Sequence, residues 1–94
     1  MQEREKIAFR IVVTGNVQGV GFRAFTVSLA RKLGVGGIVM NEDDGSVSIL
    51  AEGDRTRIDR FVEGIKEGNG WSRTDRVSLT EIRPRGFTDF ESVY

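Results

Sequence analysis

A glycine-rich stretch at residues 15–23 joins a strand-like run to a helix-like run and reads Gly-Asn-Val-Gln-Gly-Val-Gly-Phe-Arg. Three glycines within seven positions allow the backbone to turn sharply and to approach a ligand closely. A loop that opens a helix directs the unpaired N–H groups of the first helical turn outward, where they attract anions. Arg23 adds a permanent positive charge with a planar fork of donors. The stretch therefore predicts a cradle for an oxyanion, with a phosphoryl group as the best match.

Other interpretations of this stretch compete with the cradle. A strand, a glycine-rich turn and a helix also occur together for packing reasons alone. The stretch is not a Walker A loop, because no Gly-Lys-Ser/Thr follows it. Gly19-x-Gly21-x-x-Ala24 fits a loose dinucleotide-binding pattern, and Asn41-Glu42 lies roughly where that pattern places its acidic residue. A doubly wound nucleotide fold, however, needs more strands than 94 residues supply.

The spacing of apolar residues predicts two helices and four or five strands. Helical spacing over Phe22–Leu33 stops at Gly34, and a second amphipathic helix ends at Gly68 and Gly70. Period-two alternation and turn residues predict strands at residues 7–14, 35–41, 46–52 and 76–82, with a short edge strand at 87–94. Residues 42–45 are predicted as a turn, residues 71–74 as a connection and residues 1–6 as a loose start.

The predicted order, β-α-β-β-α-β, is the split βαβ or ferredoxin-like arrangement, an α+β fold. Its two helices lie on one face of an antiparallel sheet of four to five strands. The second helix has two candidate N-caps: Thr56 with Asp59 resembles a capping box, and Asp54 is the alternative. The length predicts a single domain over residues 1–94.

Composition excludes several classes of site. The 14 basic and 14 acidic side chains cancel, so no strong attraction to nucleic acid or to an anionic membrane is expected. The absence of cysteine and histidine removes disulfides, a thiolate nucleophile and the commonest base and metal ligand. No apolar run approaches the roughly 18 residues of a spanning helix, and the start lacks the apolar segment of a signal peptide. We therefore expect a cytoplasmic protein without a cofactor. We also expect no metal, because Asp43 and Asp44 are adjacent carboxylates of a kind usually solvated in turns.

Two segments carry a resemblance to a known family. The pattern Gly-x-Val-Gln-Gly-Val-x-Phe-Arg at residues 15–23 resembles the first signature of the acylphosphatase family. Residues 37–41, Gly-Ile-Val-Met-Asn, followed by Gly45-x-Val47, resemble the second signature. Ile38 stands where the family usually has an aromatic residue, a departure that concerns local packing more than chemistry. The resemblance implies the ferredoxin-like fold and hydrolysis of acyl phosphates.

The resemblance also implies which residues form the site. Arg23 would bind phosphate, and Asn41 would hold the attacking water, a role that suits an amide because it donates and accepts without titrating. Apart from the resemblance, Arg23 would be one of 11 arginines on the surface, and Asn41 would be a turn residue. Backbone N–H groups of the loop would complete the phosphate site, which comprises Val17, Gln18, Gly19, Val20, Gly21, Phe22 and Arg23.

The expected function is therefore that of an acylphosphatase acting on a small acyl phosphate, with phosphate or sulfate able to occupy the loop. We expect a monomer with no nucleic-acid or membrane partner. One alternative is a carbamoyl-phosphate-binding domain of a maturation enzyme, in which proline often follows the Phe-Arg pair that Ala24 follows here. The other is a ferredoxin-like RNA-binding module, which needs exposed aromatics and a basic sheet face. The predicted strand at 46–52 has no aromatic residue.

Overall fold

The element order is the predicted β-α-β-β-α-β followed by the predicted short fifth strand. The structure, a computed structural model, describes residues 5–93. The elements are β1 (Ile7–Asn16), α1 (Phe22–Leu33), β2 (Gly36–Asn41), β3 (Val47–Gly53), α2 (Arg55–Glu67), β4 (Arg73–Ile82) and β5 (Phe90–Val93). Residues 1–4 of the predicted loose start and Tyr94 of the predicted last strand lie outside the described residues.

The five strands form one sheet in the order β4-β1-β3-β2-β5. β1 pairs antiparallel with β3 and β4, and β2 pairs antiparallel with β3. β5 pairs parallel with β2, so the sheet is mixed rather than wholly antiparallel. The predicted edge position of the fifth strand is confirmed. After β4 closes one edge, the chain crosses to the free side of β2 and arrives there in the same direction as β2.

The core lies between the sheet and the two helices. Ile11 of β1, Ile49 of β3 and Val39 of β2 stand in register across the sheet and are at most 1% exposed. Phe22 of α1 and Phe61 of α2 are buried with them in one cluster. Burying each such side chain contributes about 1.5–3 kcal/mol, so this layer fixes the positions of the loops at its margins.

Helix α1 has the predicted bounds, and its end at Gly34 is confirmed. Gly34 adopts a left-handed conformation with φ 74°, and its N–H points to the carbonyls of Ala30 and Arg31. This closure of the last helical turn favours glycine because a side chain at positive φ is strained.

Helix α2 is capped by Asp54, so the capping box predicted at Thr56 is wrong. Asp54 Oδ1 accepts from the backbone N–H of Arg57 at 2.9 Å, and its Oδ2 accepts from Arg57 Nη1 at 2.9 Å. Thr56 lies inside the first helical turn. The alternative cap was therefore correct, since a carboxylate at the first residue outside the helix satisfies an otherwise unpaired N–H.

Several strand ends differ from prediction by one to three residues. β1 continues to Asn16 through an irregularity between Thr14 and Gly15, and pairs there with the start of β4. The connection predicted at 71–74 is therefore wrong for its last two residues, because β4 begins at Arg73. Gly15 has φ 129°, and a Cβ there would collide with the backbone oxygen of Arg73, so this close strand contact requires glycine. The remaining shifts are the starts of β2 at Gly36 and of β3 at Val47, the end of β3 at Gly53, and a shorter β5.

Candidate active site

The loop between β1 and α1 is anchored in the core at both ends. Val17 and Phe22 are each 1% exposed, whereas Gly19 between them is exposed. Gly19 and Gly21 have φ 74° and 78°, the left-handed region that glycine adopts without strain. The loop therefore stands out from the core as a tight turn whose two ends are packed into it.

The loop ends in the N-terminus of α1 with its N–H groups available. Within residues 5–93, no hydrogen bond uses the backbone N–H groups of residues 17–21. Gly21 is the N-cap of α1, and no acidic side chain lies in the first helical turn. The positive end of the helix dipole therefore meets no negative charge of its own first turn, an arrangement that favours a bound anion.

A pocket of about 190 Å³ lies against this loop. Arg23 of α1 and Asn41 of β2 line it together with the loop glycines. The full lining comprises Val17, Gly19, Gly21, Phe22, Arg23, Ala24 and Asn41. Two residues separated by 18 positions thus face one concavity. Gln18 and Val20, which were predicted with the cradle, do not line it.

Arg23 lies in the first turn of α1 and is half-buried. Its Nη1 lies 3.5 Å from both Ser92 Oγ and the backbone oxygen of Val93. Both contacts are long, and they place the guanidinium near the end of β5. A guanidinium has five N–H donors in a fixed fork and can bind two oxygens of one phosphoryl group.

Asn41 is the last residue of β2, next to the turn at residues 42–45. Its Oδ1 is buried and has no hydrogen-bond partner among residues 5–93. A buried acceptor without a partner costs about 1–3 kcal/mol. This oxygen is therefore placed to accept a hydrogen bond from a molecule in the pocket.

The Gln18 side chain binds the β2–β3 turn. Its Nε2 donates to the backbone oxygens of Glu42 at 2.7 Å and Ser46 at 2.8 Å. Glu42 follows Asn41, so Gln18 ties the loop to the strand end that carries Asn41. The sequence placed Gln18 in the cradle but gave no indication of this second contact.

The acidic turn beside Asn41 is organised by Asp44. Asp44 Oδ1 accepts from the Ser46 hydroxyl at 2.6 Å and from the Ser46 N–H at 2.9 Å. The bond from the Ser46 side chain, followed by that from its backbone, lowers the pKa of Asp44 below the usual value of 3.8. This carboxylate is therefore a weak base that is committed to the turn. Within residues 5–93, no three acidic side chains lie close enough together to hold a metal ion.

Asn69 contacts the loop from the connection between α2 and β4. Its Nδ2 donates to the backbone oxygen of Val20 at 2.9 Å. Sequence reasoning missed this residue. Its glycine neighbours, Gly68 and Gly70, mark a turn, but no local pattern shows a partner 49 positions away.

Comparison with known proteins decides the family. The acylphosphatase family model matches residues 9–92. An acylphosphatase of Thermotoga maritima is 48% identical over 87 residues, which cover 93% of this chain and 97% of that protein. The chain belongs to the acylphosphatase family. The predicted resemblance to the acylphosphatase family is thereby confirmed.

Solved acylphosphatase structures have the same fold. The crystal structure of acylphosphatase from Bacillus subtilis superposes with a TM-score of 0.90 at 45% identity, covering 94% of this chain and 99% of that one. The crystal structure of full-length HypF, in its phosphate- and nucleotide-bound form, gives a TM-score of 0.90 at 34% identity. There the match covers 99% of this chain but only 12% of HypF. The acylphosphatase fold therefore also occurs as a small part of a much longer protein.

Neither helix within residues 5–93 is long and apolar enough to cross a membrane.

Proposed function

We propose that this protein is an acylphosphatase that hydrolyses carboxyl-phosphate anhydrides to a carboxylate and inorganic phosphate. The observation that carries the proposal is the pocket of about 190 Å³ that Arg23, Asn41 and the loop glycines line together. Membership of the acylphosphatase family supports the same conclusion. The substrate class is a small acyl phosphate, and its phosphoryl end is the part that the pocket recognises.

The phosphoryl group binds to the loop and to Arg23. The N–H groups of residues 17–22 surround its oxygens, and the guanidinium of Arg23 takes two of them through charge-assisted hydrogen bonds. Phosphoryl transfer shifts charge among these oxygens without demanding much covalent chemistry from the protein. Fixed donors in a confined site stabilise that charge, and removing one such donor typically costs about 10²–10³ in rate.

Asn41 orients the water that attacks phosphorus. Its buried Oδ1 accepts a hydrogen bond from the water, which directs the water oxygen at the phosphoryl group held by the loop. The new P–O bond forms as the bond from phosphorus to the acyl oxygen breaks, and the electron pair leaves with the carboxylate. Both water protons end on the phosphate product. Correct alignment of two reactants can lower a barrier by about 7–11 kcal/mol at the limit.

No general acid is needed, because the departing carboxylate is stable without a proton. A reaction that needs no general acid fits a chain that contains no histidine and no cysteine. Asp44, the acidic side chain nearest Asn41 with a defined partner, is bound to Ser46. Catalysis then consists of binding, alignment and electrostatic stabilisation.

The carbamoyl-phosphate-binding domain of a larger maturation enzyme is the lesser alternative. The structural match to HypF favours it, but the Thermotoga relative, 97% of which is matched, is an acylphosphatase. We further propose a single-domain monomer that acts in the cytoplasm. The balanced charges give no reason to expect a nucleic-acid or membrane partner, and no comparison supports the RNA-binding module.

The test is hydrolysis of benzoyl phosphate by the purified chain, with inorganic phosphate as inhibitor. We expect phosphate release well above the rate of an Arg23→Ala control prepared in the same way. We also expect inorganic phosphate to compete with benzoyl phosphate, because both use the loop. A release rate equal to that of the control, or purely noncompetitive inhibition, would refute the proposal.

A further inference from the structure

We propose that Asn69 is a positioning residue that fixes the direction of the Gly21 N–H in the phosphate-binding loop. The proposal rests on the acylphosphatase function proposed above and assigns a role to a residue far from both signatures. Asn69 lies in the connection between α2 and β4 and is half-buried. Its Nδ2 donates to Val20 O at 2.9 Å and would lie 3.7 Å from a Cβ placed on Gly21.

The turn around Asn69 fixes the orientation of its amide. Asn69 Oδ1 accepts from the N–H groups of Trp71 and Ser72, each at 2.9 Å. The Asn69 N–H points to Ser72 Oγ at 3.4 Å. Because the acceptor end of the amide is engaged within its own turn, the donor end is directed at the loop.

The contact matters because of the geometry of the peptide between Val20 and Gly21. In a planar trans peptide the C=O and the following N–H point in opposite directions. No described peptide bond within residues 5–93 is cis. Asn69 holds the Val20 oxygen on the side of the α2–β4 connection, so the Gly21 N–H is directed to the other side. Gly21 itself lines the pocket.

Gly21 cannot fix this direction by itself. Glycine adopts positive and negative φ with similar ease, so the peptide before Gly21 is free to rotate unless something outside the loop holds it. The next peptide is already held, because Gly21 O accepts from Phe25 N–H at 3.0 Å. The bond from Asn69 supplies the corresponding restraint for the peptide on the N-terminal side.

Loss of this restraint should weaken phosphate binding while the fold stays intact. A hydrogen bond to a charged group is about twice as strong as one between neutral groups, and a mobile N–H donor loses much of that strength. We therefore expect about a tenfold weaker interaction with the phosphoryl group. The effect should appear in the inhibition constant of inorganic phosphate and in KM.

The test variant is Asn69→Ser, and the matched control is Ser72→Ala. A serine hydroxyl can still accept from the turn N–H groups, but it is too short to reach Val20 and carries no charge. Ser72→Ala alters the same turn without touching the bond to Val20. Trp71, the one tryptophan of the chain, reports the state of this turn through its emission. The Gly21 amide signal in a ¹H–¹⁵N spectrum reports binding during titration with inorganic phosphate.

We expect Asn69→Ser to raise the phosphate inhibition constant about tenfold and to reduce the phosphate-induced shift of the Gly21 amide. Ser72→Ala should stay within about twofold of wild type in both measurements. An unchanged inhibition constant in Asn69→Ser, or a wild-type Gly21 amide that does not respond to phosphate, would overturn the proposal. If Asn69→Ser does not fold, Asn69→Thr keeps an uncharged hydroxyl acceptor for the turn, is equally too short to reach Val20, and must show the same loss.

The experiment separates this proposal from the proposed function. Wild type that fails to hydrolyse benzoyl phosphate would remove the acylphosphatase assignment. The Gly21 amide titration uses inorganic phosphate alone, so it would still decide whether Asn69 directs that N–H toward an anion. Active wild type with an unaltered Asn69→Ser variant would remove only the role of Asn69.

Discussion

Two polar concavities on this protein differ in how their charged groups are satisfied. The pocket beside the phosphate-binding loop measures about 190 Å³. A larger groove of about 680 Å³, here called the charged groove, lies where the end of α1 meets the start of α2. Its lining includes the ionic side chains Lys6, Arg31, Glu52, Asp54, Arg57 and Asp89. Choosing the concavity with the larger volume and more charged side chains would therefore select the charged groove instead of the pocket beside the phosphate-binding loop.

The ionic groups of the charged groove largely neutralise one another. Arg31 binds Asp89 through two hydrogen bonds of 3.2 and 3.3 Å. Arg57 pairs with Asp54 at 2.9 Å. Glu52, only 2% exposed, accepts from the N–H groups that open the 85–89 segment, with a shortest distance of 2.8 Å. These groups hold the fold together and leave little for a ligand.

The pocket beside the loop shows the reverse pattern. The N–H groups of residues 17–21 are unused within residues 5–93, and Asn41 Oδ1 is buried without a partner there. A ligand with oxygens and a bound water can satisfy these groups, because no described residue competes for them. The comparison teaches that available donors and acceptors, rather than volume or charge, indicate the functional site.

Matched arginine substitutions on α1 should produce the largest contrast between the two regions. Arg23→Lys should lower kcat/KM about 100-fold, because a point charge cannot make the two-pronged contact, and Arg23→Ala should lower it about 1000-fold. Arg31→Lys changes the same residue type on the same helix and should leave kcat/KM within about twofold. Steady-state kinetics with benzoyl phosphate measures all three. Equal losses for Arg23→Lys and Arg31→Lys would end the distinction between the two concavities.

Substitution of Asn41 should separate turnover from binding. Asn41→Ala should lower kcat about 100-fold while the phosphate inhibition constant changes little, because orientation of water matters mainly in the transition state. We also expect the wild-type rate to vary little between about pH 5.5 and 8, since unperturbed carboxylates titrate near 4. A steep enzyme-derived rise across this range that disappears in Asp44→Asn would show carboxylate base catalysis instead.

Substitution of Gln18 and of Glu52 should have smaller effects, which again differ between the two concavities. Each binds two backbone groups, Gln18 beside the pocket and Glu52 in the charged groove. Removal of either side chain breaks two or more hydrogen bonds to the backbone and should lower the free energy of unfolding by about 1–3 kcal/mol in urea denaturation. Gln18→Ala should in addition lower kcat/KM about tenfold, whereas Glu52→Ala should not. Equal kinetics for the two variants would show that the link from the loop to the Asn41 strand end does not matter for function.

The smallest expected effect is on the acid stability of the charged groove. The Phe90 N–H, and to a lesser extent Arg31, lower the pKa of Asp89 below its usual value of 3.8. A carboxyl with a lower pKa in the folded state stabilises the fold above that usual value, and the contribution is lost as the pH falls. Asp89→Asn should therefore show a shallower fall of Tm between about pH 5 and 3 than wild type does. Identical slopes would contradict this assignment, and activity at pH 6 should be unaffected.

Much of the fold could be predicted from local patterns. The prediction of helix α1 was correct because the apolar spacing stops at Leu33 and Gly34 is a residue that commonly ends a helix. The N-cap of α2 was ambiguous because Asp54 and Thr56 both have capping side chains, and only the path of the chain decides between them. The start of β4 was missed because pairing with the end of β1, rather than local propensity, extends that strand to Arg73.

The candidate site was predictable where it follows a sequence pattern and hidden where it depends on contacts between distant segments. The glycines and Arg23 occur within one loop, and Asn41 was found through the second signature. The Gln18 bond to Ser46 spans 28 positions and the Asn69 bond to Val20 spans 49. Such partners depend on how the loops meet above the sheet, which no period or spacing in the chain encodes.

The most direct test of the central claim is to find which bond of the acyl phosphate breaks. Benzoyl phosphate is hydrolysed by the protein in ¹⁸O-labelled water, and both products are analysed by mass spectrometry. If the loop and Arg23 hold the phosphoryl group while Asn41 directs water at phosphorus, one labelled oxygen per turnover appears in inorganic phosphate and none in benzoate. Label in benzoate would mean that water attacks the carbonyl carbon, and the account of the pocket would be contradicted.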